Sequence, residues 1–263
     1  MDKQKKWTGK KVVLLIAELF FLALFLVAAV RLGKMAYDYY KGDQLYQQAS
    51  DSFLKEKPSN TNNNAIDLGI SVDFDALTKT NADAIGWILI PDTAVNYPLM
   101  QTENNEYYLK HTYNRTYSDF GSIFLAAECG SDFADQHSLI YGHNTKNGSM
   151  FGSLKKYKDK SYLEAHPYLY IIQKDQILEY KIVSAFTAET SDDIYLLSFA
   201  SDGDYFYWLQ RMVALSEVQT DAPELSADTR VLTLSTCTSR TETERFTVNA
   251  ILNQVYSTVN AAQ

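Results

Sequence analysis

The chain is poor in the residues that hold metals, nucleotides or disulfide frameworks. Only two cysteines and four histidines occur among its 263 residues, and they show none of the close paired spacings that zinc sites use. The glycine-rich motifs that cradle dinucleotides or nucleoside triphosphates are also absent. A formal net charge of -8 excludes a general nucleic-acid binder, whose surface would be basic. We therefore expect no metal, no cofactor and no nucleic-acid partner.

One long apolar run lies near the N-terminus. VVLLIAELFFLALFLVAAV, residues 12–30, holds one charge, Glu18, in 19 residues. As a helix it would span about 28 Å, close to the ~30 Å hydrocarbon core of a bilayer. Five lysines precede it, which predicts a cytoplasmic basic tail over 1–11, a single-pass transmembrane anchor over 12–30 and an extracellular remainder. A cleaved signal peptide is the alternative, but the run is long and the cleavage site poor.

The rest of the chain divides into a helical appendage and a β-rich domain. From Ala36 to about Lys57 the pattern predicts an amphipathic helix with a weak point at Gly42, followed by an asparagine-rich linker. Residues 31–84 are thus a helical stalk and linker, and residues 85–263 are the main domain. In that domain apolar runs separated by turn residues indicate about eight strands. They are predicted at Ile85–Ile90, Ala94–Met100, Gly121–Ala126, His137–His143, Tyr168–Gln173, Ile177–Ala188, Arg230–Cys237 and Arg245–Tyr256.

A helix is expected before the seventh of these strands. The segment DGDYFYWLQRMVALSE shows an approximate helical stripe, and Asp202 or Asp204 would serve as its N-cap. Many strands, one inserted helix and no alternation of strands with helices favour a mainly β fold, an antiparallel barrel or sandwich.

Cys237 has the surroundings of a nucleophile. It ends an apolar run and precedes a short polar loop, and a cysteine that attacks as a thiolate needs a base or ion-pair partner. His143 is the best candidate for that partner, since it also ends an apolar run and precedes a flexible polar loop. The other histidines fit less well: His111 lies among aromatic residues, His137 opens a strand and His166 resembles a turn residue. Cys129 is interpreted as an incidental thiol, with a disulfide to Cys237 as the less favoured alternative.

An arginine is expected to complete this site. Arg245 opens the run after Cys237, so a hairpin between the two runs would return it near the cysteine. Its guanidinium would donate to an oxyanion or to a substrate backbone. A surface arginine that balances Glu242 and Glu244 is the alternative, and Arg240 in the intervening loop competes for the same role.

The ordered motifs resemble the sortases, the membrane-anchored cysteine transpeptidases of Gram-positive bacteria. TLSTC closes a strand, YGHN lies about ninety residues upstream, and an arginine opens the next strand. IGWILIPDTAVNYPLMQTENNEYYL, GSIFL and YGHNTKNGSMFGSLKKY place the resemblance closer to class B. The resemblance covers roughly residues 85 to 252.

This resemblance implies an eight-stranded sortase-type β-barrel with a Cys-His-Arg site. Cys237 would be the nucleophile, His143 the proton donor to the leaving amine, and Arg245 the group that stabilises the oxyanion or positions the substrate. Neighbours implied to contact the substrate, support the oxyanion or line the site are Ser235, Thr236, Asn144 and Tyr141.

The implied reaction is an acyl transfer in two halves. Cys237 would cleave a C-terminal sorting motif of a surface protein at its threonine, and the thioacyl enzyme would pass the acyl group to an amine. In wall-anchoring members that amine belongs to a peptidoglycan precursor, and in pilus-building members it is a lysine of another pilin. A cysteine peptidase and a non-catalytic surface-binding module remain alternatives, and the sorting motif itself is not legible in the sequence.

Overall fold

The computed structural model describes residues 9–56, 66–221, 223–237 and 243–258. Helix α1 (Gly9–Phe53) contains the predicted anchor and stalk in one continuous segment. Gly42 does not interrupt it, so the weak point expected there is wrong; a single glycine costs only about 1 kcal/mol in a helix. In the described part of the chain α1 is the one helix long and apolar enough to cross a membrane. The lysine-rich residues before it lie outside the described residues.

The chain divides within α1 into two compact units, one ending at Gln44 and one beginning at Leu45. In the second unit the last turns of α1 bury Tyr46, Ala49 and Phe53, which share one helix face. Strands β1 (Leu54–Glu56) and β2 (Ile70–Val72) then form a two-stranded antiparallel sheet that the sequence did not predict. The predicted linker between them falls mostly outside the described residues.

Eight further strands close into a barrel, as predicted. The barrel strands are β3 (Ala84–Leu89), β4 (Asn96–Met100), β5 (Ile123–Leu125), β6 (His137–Tyr141), β7 (Tyr168–Ile172), β8 (Gln176–Glu189), β9 (Val231–Cys237) and β10 (Glu244–Ser257). Each overlaps one predicted strand, and their order around the barrel is β10-β8-β7-β3-β4-β5-β6-β9. The short helix α2 (Phe74–Thr80) precedes β3, and the short helix α3 (Lys160–Ala165) lies between β6 and β7.

Two of the strand pairs in the barrel are parallel, β4 with β5 and β6 with β9. The β6–β9 pair determines where the site forms. Parallel neighbours end at the same edge of a sheet, so the residues that follow β6 and those that end β9 meet there. Strand β10 returns antiparallel along the other side of β9.

The inserted helix is α4 (Asp202–Ala214), and its N-cap is Ser201 rather than Asp202 or Asp204. Ser201 has extended backbone angles and its side chain accepts a hydrogen bond from the Asp204 main-chain N–H, which is the geometry of a cap. The helix covers the outer face of β8, β9 and β10 with one apolar stripe. Its buried residues are Tyr205, Trp208, Leu209 and Met212, which pack with Val183, Phe186, Val231 and Ile251. Residues 231–236 of β9 are therefore buried on both faces.

Candidate active site

The ends of β6 and β9 bring the predicted histidine and cysteine segments together. Tyr141 pairs with Ser235 as the last register pair, and the Gly142 N–H donates to the Ser235 carbonyl at 3.1 Å. His143 and Cys237 each lie two residues beyond that last pair, at the same edge of the barrel. Cys237 closes β9 in the described backbone, and its side chain lies outside the described part of the structure.

Arg245 lies on the other side of the cysteine. It is the register partner of Cys237 in the antiparallel β9–β10 pair. Its side chain is half-buried, and Nη1 donates to the Glu244 carbonyl at 3.1 Å. The competing candidate, Arg240, lies outside the described residues. Cys237 is thus flanked by the strand that leads to His143 and by β10, whose second residue is Arg245.

The imidazole of His143 is oriented by a main-chain carbonyl. Its Nε2 lies 2.7 Å from the carbonyl oxygen of Leu109, at the end of a 3₁₀ helix (Tyr107–Leu109). A carbonyl can only accept, so Nε2 carries the proton of this hydrogen bond. In the neutral ring the lone pair is then on Nδ1. Nδ1 is consequently the nitrogen free to exchange a proton with a reacting group.

Gly121 makes room for this arrangement. Its backbone has φ +58°, and a Cβ added there would lie 2.9 Å from His143 Cδ2 and 2.9 Å from the Leu109 carbonyl oxygen. It would also lie 2.5 Å from the Tyr108 carbonyl oxygen. The imidazole and the carbonyl that orients it therefore both pack against a backbone that only glycine provides.

Two tyrosines, Tyr141 and Tyr195, lie near the ends of β6 and β9. Tyr195 ends a short 3₁₀ helix that precedes α4, and its hydroxyl lies 3.2 Å from Ser235 Oγ. Burial raises the pKa of Tyr141 to about 12, the neighbouring Tyr195 adds to that rise, and the positive charge of Arg245 opposes it. Tyr195 and Arg245 are thus close enough to Tyr141, at the end of β9, to influence it electrostatically.

The two predicted neighbours in β9 point in opposite directions. Successive side chains of a strand alternate between its faces. Ser235 is on the face that carries Tyr195, whereas the Thr236 hydroxyl is buried on the opposite face and has no hydrogen-bond partner among the described residues. Asn144 follows His143 and forms a bridge with Met150 that closes the polar loop. Tyr141, His143, Asn144, Ser235 and Arg245 therefore share one edge of the barrel. Thr236 lies at the same edge, but its hydroxyl is on the face opposite to that of Ser235.

The other histidines occupy structural positions. His137 opens β6 at its opposite end and is fully buried, with Nδ1 2.7 Å from the Leu196 carbonyl and Nε2 2.8 Å from Thr233 Oγ1. Burial lowers its pKa to about 4. His111 stacks on Tyr107 with ring centroids 4.0 Å apart, and His166 caps the end of α3.

Cys129 is a free thiol buried beside β5. Burial raises its pKa to about 11, and the negative charges of Asp135 and Glu128 add to the rise. A thiol of that pKa stays protonated near neutral pH and is a poor nucleophile. Among the residues that the structure describes, no group of three or more His, Cys, Asp or Glu side chains is arranged to hold a metal ion.

Sequence reasoning missed the Leu109 carbonyl, Gly121 and Tyr195 as parts of this site. A main-chain carbonyl leaves no trace in a residue pattern. Gly121 begins the GSIFL motif, so its presence was visible but its contact with His143 was not. Tyr195 lies in the long connection between β8 and β9, whose path over the barrel only the tertiary structure reveals.

The fold is a closed eight-stranded β-barrel, and the predicted cysteine, histidine and arginine segments meet at one of its edges. The sortase domain family matches residues 88–253 of this chain. Sortase B of Listeria monocytogenes is 32% identical over 246 residues, which covers 92% of this chain and 95% of the relative. Sortase B of Staphylococcus aureus is 30% identical over 164 residues, covering 62% of this chain and 67% of the relative.

Solved structures agree with these matches. A complex of sortase B from Bacillus anthracis superposes with a TM-score of 0.71 at 28% identity, covering 83% of this chain and 99% of the other. A Staphylococcus aureus sortase B–substrate complex gives a TM-score of 0.65 at 30% identity, covering 69% of this chain and 84% of the other. The chain belongs to the sortase family. It is a cysteine transpeptidase whose relatives are class B sortases.

Proposed function

We propose that this sortase cleaves a C-terminal sorting motif of surface proteins at its threonine and joins the acyl fragment to an amine of the cell-wall precursor. One observation carries the assignment of the residues: β9, which ends in Cys237, lies between the strand that leads to His143 and β10, in which Arg245 is the register partner of Cys237. Wall anchoring, rather than another acceptor, rests on the resemblance to class B sortases.

The first half of the reaction forms the thioacyl enzyme. The Cys237 thiolate attacks the threonine carbonyl carbon, and the negative charge moves onto the carbonyl oxygen. Arg245 opposite Cys237 donates to that oxygen or to the neighbouring peptide carbonyl. The C–N bond then breaks, and the protonated His143 gives a proton to the departing amine. The products are a thioester on Cys237 and the released C-terminal peptide.

The second half reverses these roles. The acceptor amine attacks the thioester carbon, and neutral His143 removes a proton from that amine as the new amide forms. Cys237 leaves as the thiolate, which restores the starting ion pair. Because Nε2 donates to the Leu109 carbonyl, both transfers run through Nδ1 of His143.

The groove for the sorting motif would run along the outer face at the end of β9. Ser235 and Tyr195 meet on this face, and Tyr141 stands beside them. Tyrosine presents a rigid apolar ring with a polar end, which suits contacts with an extended peptide. Asn144 would line the opposite side of His143. In contrast, the orientation of Thr236 leaves only its main-chain groups for a role in the site.

The N-terminal apolar segment would hold the enzyme at the outer membrane face. Side chains over residues 12–30 of α1 are largely exposed, with Val13, Phe21 and Phe25 at 67%, 66% and 68%. A helix segment with apolar side chains on all sides is stable where lipid surrounds it. The positive charges before it favour a cytoplasmic N-terminus. The catalytic domain would then meet secreted substrates and lipid-linked amines at the cell surface.

The test is a peptide-joining assay with the full-length chain in detergent micelles. A panel of sorting-motif peptides would be incubated with and without an amine acceptor, and the products followed by mass spectrometry. The matched variants are Cys237→Ala and Cys129→Ala, each of which removes one thiol. We expect an amine-dependent joined product that Cys237→Ala abolishes and Cys129→Ala retains.

Other outcomes would overturn the proposal. Peptide hydrolysis at the same rate with and without amine would identify a peptidase instead. Activity that survives Cys237→Ala would exclude this cysteine as the nucleophile. Peptide binding without any product, equal in the wild type and the variant, would indicate a binding module. Preference for a lysine-containing pilin segment over a wall-type amine would refute wall anchoring.

A further inference from the structure

The last turns of helix α1 contact the backbone at Gly121, which packs against the His143 ring. Tyr46 lies in these turns and is only 4% exposed. Its hydroxyl donates to the Gly121 carbonyl and lies 3.2 Å from Ser122 Oγ. A buried phenol is costly without such partners, and here the partners belong to the segment that precedes β5.

That segment supports both the imidazole and its orienting carbonyl. Gly121 packs against His143 Cδ2 and the Leu109 carbonyl so closely that a Cβ would be 2.9 Å from each. The N–H of Ser122 donates to the Tyr108 carbonyl at 2.8 Å, which ties the same segment to the 3₁₀ helix that ends in Leu109. A displacement of residues 121–122 would therefore move the ring and its hydrogen-bond acceptor together.

A second route leads from Tyr46 to the loop after His143. The Tyr46 ring meets the Tyr97 ring edge-on, with centroids 5.2 Å apart. The Tyr97 hydroxyl accepts a hydrogen bond from the Met150 N–H at 2.8 Å, and Met150 bridges to Asn144. Next to it, the Phe151 N–H donates to the His143 carbonyl at 3.0 Å. Tyr46 thus touches the supports on two sides of the histidine.

We propose that Tyr46 is a positioning residue for His143, so that the helical appendage forms part of the support of the active site. The inference rests on the proposed catalytic role of His143. Tyr46 itself touches no reacting atom. Its hydroxyl fixes residues 121–122, and these pack against the imidazole and against the Leu109 carbonyl that accepts a hydrogen bond from Nε2. Reaction rates depend steeply on such placement, since a misplacement of ~1 Å costs on the order of a hundredfold.

The test compares two matched hydroxyl deletions in the full-length chain in detergent. Tyr46→Phe removes the donor to the Gly121 carbonyl and keeps the ring that packs on Tyr97. Tyr157→Phe is the control, because Tyr157 is also buried and its hydroxyl also donates to a main-chain carbonyl, that of His166, at 2.9 Å. Tyr46→Phe loses the hydrogen bond to the Gly121 carbonyl and the contact with Ser122 Oγ, and Tyr157→Phe loses the hydrogen bond to the His166 carbonyl, so both are expected to lower the melting temperature.

The readouts are the kinetics of peptide joining and the ring signals of the four histidines in ¹³C–¹H spectra. For Tyr46→Phe we expect kcat to fall roughly tenfold or more, with KM for the peptide little changed. The His143 ring signal, assigned with His143→Gln, should change its chemical shift. Tyr157→Phe should keep the wild-type kcat and the wild-type His143 signal.

Wild-type kcat and an unchanged His143 signal in folded Tyr46→Phe would overturn the inference, as would an equal loss of kcat in Tyr157→Phe. The double variant Tyr46→Phe/His143→Gln adds a further check: a residue that acts through His143 has no additional effect on rate once His143 is replaced. If His143→Gln retains full activity, the catalytic role of His143 fails. The spectra still report separately whether Tyr46 positions the ring.

Discussion

Replacement of Gly121 by alanine is the sharpest test of how the structure supports the histidine. The added Cβ would lie 2.5 Å from the Tyr108 carbonyl oxygen and 2.9 Å from both His143 Cδ2 and the Leu109 carbonyl oxygen. Two of these three obstacles are main-chain atoms, which cannot rotate away. Gly121→Ala must therefore move the backbone, the imidazole or both.

The cost has two parts that can be separated. A non-glycine residue at φ +58° loses about 1–2 kcal/mol from the left-handed backbone alone. Overpacking in a closed site adds about 1–3 kcal/mol, so the total is about 2–5 kcal/mol. Gly69→Ala is the matched control, because Gly69 has φ +67° and, apart from its chain neighbours, no described residue lies within 4 Å of its added Cβ. The Gly69→Ala variant should lose only the stability that the left-handed backbone costs.

The assay is thermal unfolding of both variants in detergent, followed by near-ultraviolet circular dichroism. For a domain of this size 1 kcal/mol corresponds to about 2–4 °C, so Gly121→Ala should melt about 2–12 °C below Gly69→Ala. At a temperature where both are folded, Gly121→Ala should also join peptides more slowly, because its imidazole is displaced. Equal melting temperatures and equal rates would refute the account of the packing around His143.

Two further predictions concern buried polar side chains that take no part in the proposed reaction. Burial holds the pKa of His137 near 4, well below its ordinary value of 6.5, so the unfolded chain takes up a proton first as the pH falls. Stability from this group is complete above about pH 6.5 and decreases by roughly 3 kcal/mol down to about pH 4. Urea unfolding at several pH values should show that decrease in the wild type and a smaller one in His137→Gln; parallel curves would contradict it. Thr236→Val removes a buried hydroxyl that has no hydrogen-bond partner among the described residues, and it should raise the free energy of unfolding by about 1 kcal/mol, measured the same way. A lower unfolding midpoint would show that the hydroxyl is satisfied in the folded protein.

Local patterns along the chain were sufficient to predict the eight barrel strands and α4. Each strand is an apolar run bounded by turn residues, and α4 has a helical stripe of its own. Such patterns depend only on neighbours in the sequence. These patterns fail where the preference of one residue opposes that of the helix around it. Helix α1 continues through Gly42, and α4 is capped by Ser201, because the surrounding helix outweighs such single-residue effects.

The choice of Cys237 over Cys129 could be made from sequence and agrees with the burial of Cys129. Cys237 ends a strand before a polar loop, whereas Cys129 is enclosed and its pKa is raised to about 11. The return of Arg245 to the cysteine also followed from the short connection, because a hairpin pairs the residues next to its turn.

The amino-acid sequence by itself determined the apolar N-terminal segment, the barrel strands and the types of residue at the site, because each of these features depends only on a short stretch of consecutive residues. Only the tertiary structure decided which groups surround them. The parallel β6–β9 pair joins segments about ninety residues apart, the Leu109 carbonyl reaches His143 from a connection between other strands, and Tyr46 reaches Gly121 from α1. These contacts depend on strand order around the closed barrel and on main-chain atoms, which every residue possesses and no sequence pattern distinguishes.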